Sequence, residues 1–477
     1  MLNAEQSFYL SSIYRNKRPA QIIEWLRVHV LRNPARMLVL SFAGLILSGT
    51  LVLILPISST QEPLSFVDAL FSITSATCVT GLSVIDIGTR LSSFGQVVLL
   101  IYIQVGGLGF LTFSTLFILL IRGRLSFGGK DIIETSFSQR PMGTIAGLLK
   151  TIFVATISIE AVGAILLYLQ FRNVHPKDDA IWFSVFHSIS AFCNAGYSLY
   201  PDNLMRYVGD WYVSLIICAL IVTGGLGFVV FYEVGRMIIQ KRRFSFGELN
   251  FHARLTLSVT SALIIGGALV FFAIEYRNVL EPFSLSTKII ASIFQSITPR
   301  TAGYNTVDMG ALTNSSLFFI IVLMFIGGSS GSCAGGIKTS TFAVLLAFFR
   351  AQIHEYPDVE LMQRRVPESV VSKAIAVTLF SLVVILAVSF IIMVTEYGDL
   401  RGAADRDKFL PVLFEVTSAF GTVGLSTGIT PSLSDFAKVM LSIVMFLGRV
   451  GPLTVAVAAV KTKYKRHKLA TENFLIG

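Results

Sequence analysis

The sequence predicts an all-α membrane protein in which four tandem helix–pore helix–helix repeats surround one pore with pseudo-fourfold symmetry. The first observation is composition: 53% of the 477 residues are hydrophobic, 14% are charged and the mean hydropathy is +0.72. A water-soluble protein of this composition would expose far too much apolar surface. The second observation is a glycine loop that recurs four times, and the third is the alternation of long and short apolar stretches around it.

The recurring loop contains a glycine in each copy, at Gly81, Gly196, Gly303 and Gly424. These glycines are separated by 115, 107 and 121 residues, so one unit of about that length repeats along the chain. Each loop follows a short apolar stretch and precedes a long one. A fourfold repeat of this kind predicts that the four loops meet at a single axis.

The long apolar stretches predict spanning helices and the short ones predict re-entrant pore helices. Long stretches run near 37–56, 96–121, 147–170, 211–231, 255–274, 316–328, 339–349, 374–395 and 437–460. Most of them reach the roughly 20 residues needed to cross a hydrocarbon core of about 30 Å. Shorter stretches lie near 66–76, 181–192, 286–298 and 409–420. The predicted boundaries are a basic leader at 1–36, pore repeats at 37–122, 145–240, 254–350 and 368–461, and a tail at 462–477.

Basic residues set the predicted orientation. Of the 38 Lys and Arg residues, 25 fall in the leader, in the tail or around the three connections between repeats. The positive-inside rule therefore places both termini of this multi-pass protein in the cytoplasm. The formal net charge of +10 is explained by this orientation and by contact with anionic membrane lipids, so nucleic acid is not expected as a partner.

Each short stretch carries a Phe four residues before a hydroxyl residue, which places the ring and the hydroxyl on one face of a helix. The pairs are Phe71/Ser75, Phe186/Ser190, Phe294/Thr298 and Phe414/Ser418. Packing in a duplicated membrane protein would account for the Phe residues, but it would not account for the glycine loop that follows. We therefore expect the chemistry to reside in the loop.

The glycine loops predict a cation-selective filter. A dehydrated cation needs several oxygen ligands, and backbone carbonyls supply them where the chain adopts angles that side chains normally forbid. Each pore helix would also direct its carbonyl end, the negative end of the helix dipole, toward the cavity below. The predicted filter residues, which would bind the ion through their backbone carbonyls, are Thr80, Gly81, Ala195, Gly196, Ala302, Gly303, Val423 and Gly424.

A single cation interrupts a second repeated pattern, in the spanning helix after each filter loop. Corresponding glycines stand at Gly106, Gly224, Gly327 and Gly448. The first three are each followed by a second glycine that is expected to break its helix, at Gly107, Gly225 and Gly328, whereas the fourth is followed by Arg449. A charged side chain at this depth costs roughly 2.5–3.5 kcal/mol, so we expect Arg449 to face the pathway beneath the filter. The alternative is a structural ion pair, for example with Glu160 or Glu233.

The third repeat contains a glycine-rich break in its second spanning helix, which predicts a gating loop over 327–339. Five glycines among ten residues cannot hold a regular helix, because each costs roughly 1 kcal/mol. Such a break predicts a loop across the pathway that moves when a cytoplasmic signal pulls on the flanking helices. Close glycine-mediated helix packing is the alternative. The predicted gating residues are Gly327, Gly328, Ser329, Ser330, Gly331, Gly335, Gly336, Lys338 and Arg449.

Other polar residues in the apolar segments are expected to support the structure. His187 is expected to be a satisfied buried side chain, and Glu415 a local support in its pore helix. Glu160 is expected to be paired, with a proton-relay role as the alternative. Asn194 and Asn305 flank filter glycines and are expected to brace their loops. No cofactor is expected, because no Cys spacing or His/Glu cluster predicts a metal or catalytic site.

Four segments carry a resemblance to a known family. They are Phe186-His-Ser-Ile-Ser-Ala-Phe-Cys-Asn-Ala-Gly-Tyr197, Thr298-Pro-Arg-Thr-Ala-Gly-Tyr-Asn305, Ser329-Ser-Gly-Ser-Cys-Ala-Gly-Gly-Ile-Lys-Thr339 and Gly448-Arg-Val-Gly451. Together they resemble the Trk/Ktr/HKT superfamily of potassium transporters over nearly the whole chain past the leader. A first repeat that begins at residue 37 is similar to ion-translocating subunits of the KtrB type rather than to the longer TrkH type.

The resemblance implies a fold like that of potassium channels and potassium ion uptake through a homodimer in which each subunit has its own pore. It also implies a bacterial inner-membrane location and a cytoplasmic ring of nucleotide-binding regulatory subunits of the KtrA/TrkA type. The four filter glycines, the 327–339 segment and Arg449 correspond to the family's filter, gating loop and charged constriction. Relatives that prefer sodium have a serine at the first filter glycine, so Gly81 implies potassium as the transported ion. Ser329-Ser330 replaces the Ser-Pro of many relatives, which implies a different bend in the loop.

Two other classes of membrane protein remain as alternatives. A sodium- or proton-coupled potassium symporter also contains discontinuous helices at the membrane midplane. The two inverted repeats usual in that class differ from the parallel fourfold repetition of this sequence. A membrane enzyme lacks support, because the sequence offers no nucleophile with an adjacent base at helical spacing.

Overall fold

The structure is a computed structural model that describes residues 34–108, 145–239, 246–398 and 403–451. Apart from one two-stranded hairpin, the regular elements of these residues are helices, as the all-α prediction expects. The tail predicted at 462–477 and all but the last three residues of the leader predicted at 1–36 lie outside the described residues.

Each predicted repeat contains a first helix, a pore helix and a second helix. The first repeat has α1 (Pro34–Leu53), α2 (Phe66–Thr77), the short α3 (Ile87–Arg90) and α4 (Ser93–Gly107). The second has α5 (Ile145–Phe171), α6 (Lys177–Phe192), α7 (Trp211–Leu226) and α8 (Phe228–Ile239). The third has α9 (Phe251–Glu275), α10 (Leu285–Ile297), α11 (Asn314–Phe325) and α12 (Thr339–Ile353). After the antiparallel strands β1 (Glu360–Leu361) and β2 (Arg364–Arg365), the fourth has α13 (Glu368–Tyr397), α14 (Ala403–Gly421) and α15 (Asp435–Val450).

Helices α2, α6, α10 and α14 occupy the positions predicted for the pore helices. Ser65 and Ser284 cap α2 and α10, because their side-chain oxygens accept hydrogen bonds from backbone N–H groups of the first turn. α6 and α14 begin earlier than the apolar stretches suggested, at Lys177 and Ala403. The first turn of α6 is polar, and Asp178 and Asp179 there are favourable near the positive end of the helix dipole. Hydropathy alone therefore missed these turns.

Within the described residues, three helices are long and apolar enough to cross a hydrocarbon core: Thr151–Phe171, Phe251–Glu275 and Glu368–Tyr397. They are the first helices of the second, third and fourth repeats. The second helices α4, α7, α11 and α15 have only 15, 16, 12 and 16 residues. The predicted stretch 211–231 is divided at Gly227, where φ is +89°, so it forms α7 and α8 instead of one helix.

The helices pack in a cyclic order. α4 of the first repeat contacts pore helix α6 of the second, and α7 of the second contacts pore helix α10 of the third. α11 of the third contacts pore helix α14 of the fourth, and α15 of the fourth contacts pore helix α2 of the first. An ion pair reinforces this last contact, with Lys438 Nζ 2.8 Å from Asp68 Oδ1. The last repeat therefore packs against the first.

Candidate functional site

The four glycine loops share an unusual backbone conformation. Their glycines, Gly81, Gly196, Gly303 and Gly424, have φ values of +94°, +67°, +78° and +93°. The residues two positions earlier, Val79, Asn194, Thr301 and Thr422, are also left-handed, at +56°, +60°, +70° and +50°. This conformation is strained for a β-branched residue such as Val79, so the surrounding structure must enforce it.

The four glycines approach one another in the same cyclic order as the helices. A Cβ added to Gly196 would lie 2.6 Å from the Ala302 carbonyl oxygen and 2.8 Å from Gly303 Cα. In the same way, Gly81 faces the Ala195 carbonyl, Gly303 faces the Val423 carbonyl and Gly424 faces the Thr80 carbonyl. All eight predicted filter residues are therefore brought together, and each glycine leaves room for a carbonyl oxygen of the next repeat.

The hydroxyl residues of the pore helices hold these loops from behind. Ser75 Oγ donates to the Leu82 carbonyl (2.8 Å) and accepts from the Gly81 N–H (3.1 Å). The corresponding bonds are from Ser190 to Tyr197 (2.9 Å), from Thr298 to Tyr304, and from the Gly424 N–H to Ser418 (3.0 Å). The sequence pattern marks these hydroxyls but not their role. Their position six residues before the glycine, or five in the third copy, was the signal that could have revealed it.

Two loops are also tied to their neighbours by tyrosine hydroxyls. Tyr197 OH donates to the Ser72 carbonyl (3.2 Å) and lies 3.4 Å from the Leu82 carbonyl, both in the first repeat. Tyr304 OH donates to the Tyr197 carbonyl (2.9 Å). The fourth loop has Leu425 at the corresponding position, and leucine has no side-chain donor. Tyrosine ties of this kind therefore join the first three loops.

The supporting polar residues are placed as predicted. His187 is buried, with Nδ1 2.7 Å from the Phe183 carbonyl and Nε2 3.0 Å from Ser198 Oγ. Both carboxylate oxygens of buried Glu415 accept hydrogen bonds. The donors are the hydroxyls of Ser426, Thr427 and Thr430 and the Thr427 N–H, at 2.7–3.1 Å. Glu415 therefore fixes the chain that follows the fourth glycine loop.

The corresponding glycines of the second helices are positions of close approach. Gly106, Gly224 and Gly448 lie inside their helices, and α4 and α7 end at Gly107 and, one residue after Gly225, at Leu226. A Cβ at each would overlap a carbonyl oxygen at the end of the pore helix in the same repeat, that of Thr77, Phe192 or Phe420. Their lack of a side chain therefore lets the second helix contact the pore helix directly. Gly327 differs, because it lies beyond α11 and faces the Gly335 carbonyl.

The break predicted in the third repeat is present as a loop between α11 and α12. It folds back on itself through hydrogen bonds from the Gly327 N–H to the Ile337 carbonyl (2.9 Å) and from the Thr339 N–H to the Gly328 carbonyl (3.0 Å). The Ser329 N–H also donates to the Gly225 carbonyl of the second repeat (3.1 Å). The segment is thus an ordered loop, and not a helix that packs through its glycines.

Arg449 lies against this loop. Its guanidinium donates to the carbonyl oxygens of Cys333 in the loop and Gly106 in the first repeat. Lys338 Nζ donates to the next loop carbonyl, that of Ala334, at 2.6 Å. Both predicted gating cations therefore bind backbone oxygens of the same short segment.

The ion-pair alternative for Arg449 is not observed with Glu160. Gln104 Nε2 donates to Glu160 Oε2 at 3.3 Å, and residues 145–239 and 403–451 contain no ion pair between Glu160 and Arg449. Glu160 is thus paired with a neutral amide. Glu233 accepts a hydrogen bond from Asn250 Nδ2 (2.9 Å).

Comparison with known proteins gives a consistent result. Residues 6–467 match the TrkH family, described as cation transport protein. Ktr system potassium uptake protein B of Bacillus subtilis is 39% identical over 445 residues, which cover 93% of this chain and 96% of that protein. Potassium/sodium uptake protein NtpJ of Enterococcus hirae is 33% identical over 457 residues, covering 94% of this chain and 99% of that protein. The crystal structure of the potassium transporter TrkH from Vibrio parahaemolyticus matches with a TM-score of 0.66 at 18% identity, covering 90% of this chain and 85% of that one, so it shares the fold.

Proposed function

Since this chain belongs to the TrkH family of cation transport proteins, we propose that it takes up potassium ions through a pore centred on the four glycine loops. The family consists of membrane transporters, so the protein is not an enzyme. The observation that carries the proposal is the cyclic approach of the four glycines, each of which faces a carbonyl oxygen of the next repeat. Potassium is favoured because the similar proteins described above are named for potassium uptake.

The pore would have pseudo-fourfold symmetry, with the four loops as its filter. Carbonyl oxygens of the eight filter residues, from Thr80 to Gly424, would replace the hydration shell of the ion. The pore helices end beside the loops and would add the negative ends of their dipoles. The hydroxyl and tyrosine bonds behind the loops would keep the carbonyls from closing on a smaller ion such as sodium.

The loop at 327–339 would act as the gate. The loop contacts Gly225 of the second repeat directly. Arg449 of the fourth repeat joins it to Gly106 of the first. Thr422 of the fourth repeat also touches Gly335 in the loop. All four repeats therefore meet at this segment. Opening would require Arg449 to release the Cys333 carbonyl, and the positive charge of Arg449 would raise the barrier for cations until then.

The chain would work as a homodimer in the bacterial inner membrane, with both termini in the cytoplasm and lipids around its apolar helices. A cytoplasmic ring of nucleotide-binding subunits of the KtrA/TrkA type would control the gate. Support comes from the basic connections between repeats and from a relative that is named as part of a Ktr system. We also propose that the four repeats have the boundaries predicted from the sequence, 37–122, 145–240, 254–350 and 368–461.

A sodium- or proton-coupled potassium symporter is the second candidate. The name of the Enterococcus hirae relative, which includes both potassium and sodium, favours this alternative. The cyclic packing of four helices on four pore helices favours the channel-like pore, because coupled transporters with inverted repeats bind their substrates between two halves.

Flux measurements on the purified protein in liposomes test the proposal. We expect potassium flux that follows its own gradient, that exceeds sodium flux, and that proceeds without a sodium or pH gradient. A fixed ratio between the number of potassium ions transported and the number of sodium ions or protons transported would show that the protein is a symporter. Failure to restore growth of a potassium-uptake-deficient bacterium, with and without a regulatory partner, would contradict potassium uptake itself.

A further inference from the structure

An apolar cluster lies next to the loop at 327–339. Ile152, Phe228 and Cys333 are 4%, 9% and 1% exposed, and Leu108 and Phe231 pack against them. Leu108 follows α4, Ile152 lies on α5, the two Phe residues lie on α8, and Cys333 belongs to the loop. Residues of three repeats therefore meet at one place, and none of them carries a charged or amide side chain.

The second helices show that this cluster lies beyond the layer of close-approach glycines. Gly106 and Gly224 touch the ends of the pore helices, where the filter loops begin. Leu108 and Phe228 come two and four residues after these glycines, farther from the filter along the chain. Along these helices the cluster therefore lies beyond the glycine layer, on the side away from the filter loops.

The position of Ile152 on helix α5 independently places the cluster at a distance from the filter loops. Glu160 lies beside the end of pore helix α6, with Oε1 3.8 Å from Cys193 Sγ. Ile152 lies eight residues earlier on the same buried face, which corresponds to about 12 Å along the helix axis. The cluster is therefore separated from the filter by roughly two turns of helix.

The cluster is bound to the loop through its main chain. The Phe228 N–H donates to the Gly331 carbonyl at 3.1 Å, and the Cys333 N–H donates to the Gly224 carbonyl at 3.4 Å. Gly227 makes this approach feasible, because a Cβ there would lie 3.0 Å from the Ser330 carbonyl oxygen. A displacement of the loop must therefore move Cys333 and act directly on the start of α8.

We propose that Leu108, Ile152, Phe228, Phe231 and Cys333 form an apolar constriction that blocks hydrated cations, and that it opens together with the loop. This inference rests on the proposed pore. Apolar side chains offer no ligand to replace the water around an ion, so a closed apolar passage stops ions by excluding water. Cys333 belongs to the constriction and its carbonyl accepts a hydrogen bond from Arg449, so the charge of Arg449 and the constriction act at one level and raise the same barrier.

Polar substitution within the constriction tests the proposal. Phe228→Asn should raise resting potassium flux through proteoliposomes, without any regulatory partner, about tenfold or more, because an amide lets water enter. Phe228→Leu keeps the passage apolar and should raise the flux less than Phe228→Asn does. Selectivity for potassium over sodium should persist in Phe228→Asn, since the filter is untouched.

A second position provides a matched control and a safeguard against misfolding. Ile152→Asn changes the α5 side of the constriction and should also raise flux, whereas Phe153→Asn makes a similar change at the adjacent side chain, which is 53% exposed on the outer surface of α5. Unchanged flux in well-folded Phe228→Asn or Ile152→Asn would overturn the constriction, as would an equal rise in Phe153→Asn or Phe228→Leu. Arg449→Gln separates the proposed pore from the proposed constriction. If Arg449→Gln conducts potassium and the constriction variants do not, the pore is supported and the constriction is rejected. Absence of potassium flux from every variant rejects both.

Discussion

Tyr304 donates a 2.9 Å hydrogen bond from its hydroxyl to the carbonyl oxygen of Tyr197. Each tyrosine directly follows the glycine of its own loop, so this bond ties the third loop to the second. Both side chains are almost fully buried. The tie therefore fixes the spacing between two of the four loops from behind.

Tyr304→Phe should weaken discrimination between potassium and sodium, because it removes the tie while keeping the ring. A hydrogen bond of this kind contributes about 0.5–1.5 kcal/mol, so we expect a loss of selectivity of about two- to tenfold. The permeability ratio in liposomes measures it. Tyr207→Phe removes a hydroxyl that bonds Tyr200 (3.0 Å) outside the loops and should leave the ratio unchanged. Equal ratios for Tyr304→Phe and the unchanged protein would show that the tie does not affect the filter.

Gly81→Ser should reduce potassium selectivity strongly. The left-handed φ of Gly81 strains any side chain, and the new Cβ would overlap the Ala195 carbonyl oxygen of the next loop. Gly428→Ser introduces the backbone strain without the overlap, since Gly428 has φ +92° but no atom within 4 Å of an added Cβ. Comparison of the two variants therefore isolates the effect of the overlap. We expect sodium flux to rise in Gly81→Ser and not in Gly428→Ser. Identical selectivity in the two variants would remove Gly81 from the filter.

Arg449→Gln should raise resting potassium flux, because it removes the positive charge beneath the loops and weakens the hold on the Cys333 carbonyl. Arg449→Lys keeps the charge but cannot bridge Cys333 and Gly106 in the same way, so its flux should lie between those of Arg449→Gln and the unchanged protein. Flux from proteoliposomes at a fixed potassium gradient ranks the three. A loss of folding with no change in flux per folded molecule would assign Arg449 a structural role only.

Glu415→Gln should destabilise the fourth loop. The carboxylate accepts four hydrogen bonds, whereas an amide would turn a donor toward some of these donors, at a cost of about 1–3 kcal/mol for each group left unsatisfied. Thermal unfolding in detergent should show a lower Tm. Glu396→Gln is the comparison, because half-buried Glu396 accepts from Ser434 at the start of α15, away from the loop. A Tm for Glu415→Gln no lower than that of Glu396→Gln would contradict the role in bracing.

Removal of potassium should itself lower the Tm. An ion bound only by the folded filter stabilises it by RT ln(1 + [K⁺]/Kd), which is about 2.7 kcal/mol at a concentration one hundred times Kd. Replacement of potassium by a large organic cation at constant ionic strength measures the effect. The shift should shrink in Gly81→Ser and persist in Gly428→Ser. A Tm that is independent of potassium would argue against an occupied filter.

The sequence predicted the parts of the site that depend on repetition. Gly81 and its three counterparts could be located because the same register recurs, and φ values that side chains disfavour require glycine at those positions. The break after Phe325 was predictable because glycine density opposes a helix. The supporting role of Glu415 followed from its place in a pore helix, whereas its hydroxyl donors did not.

Contacts between repeats could not be read from the chain. The approach of Gly81 to the Ala195 carbonyl was not predictable, because a sequence shows that a glycine is present but not which carbonyl approaches it. The carbonyl partners of Arg449 were missed for the same reason, since backbone oxygens exist at every residue and leave no mark in a sequence. The division at Gly227 was hidden inside a continuous apolar stretch, where hydropathy is the same on both sides.

The four loops belong to one polypeptide, and this has an evolutionary consequence. In a ring assembled from identical subunits, any substitution appears in every quadrant at once. Here Tyr197 and Tyr304 stand where Leu82 and Leu425 occupy the other quadrants, and only one quadrant carries Arg449. Because the four quadrants lie on one polypeptide, a substitution in one of them leaves the other three unchanged, so rigidity, charge and mobility can differ between the sides of the proposed pore.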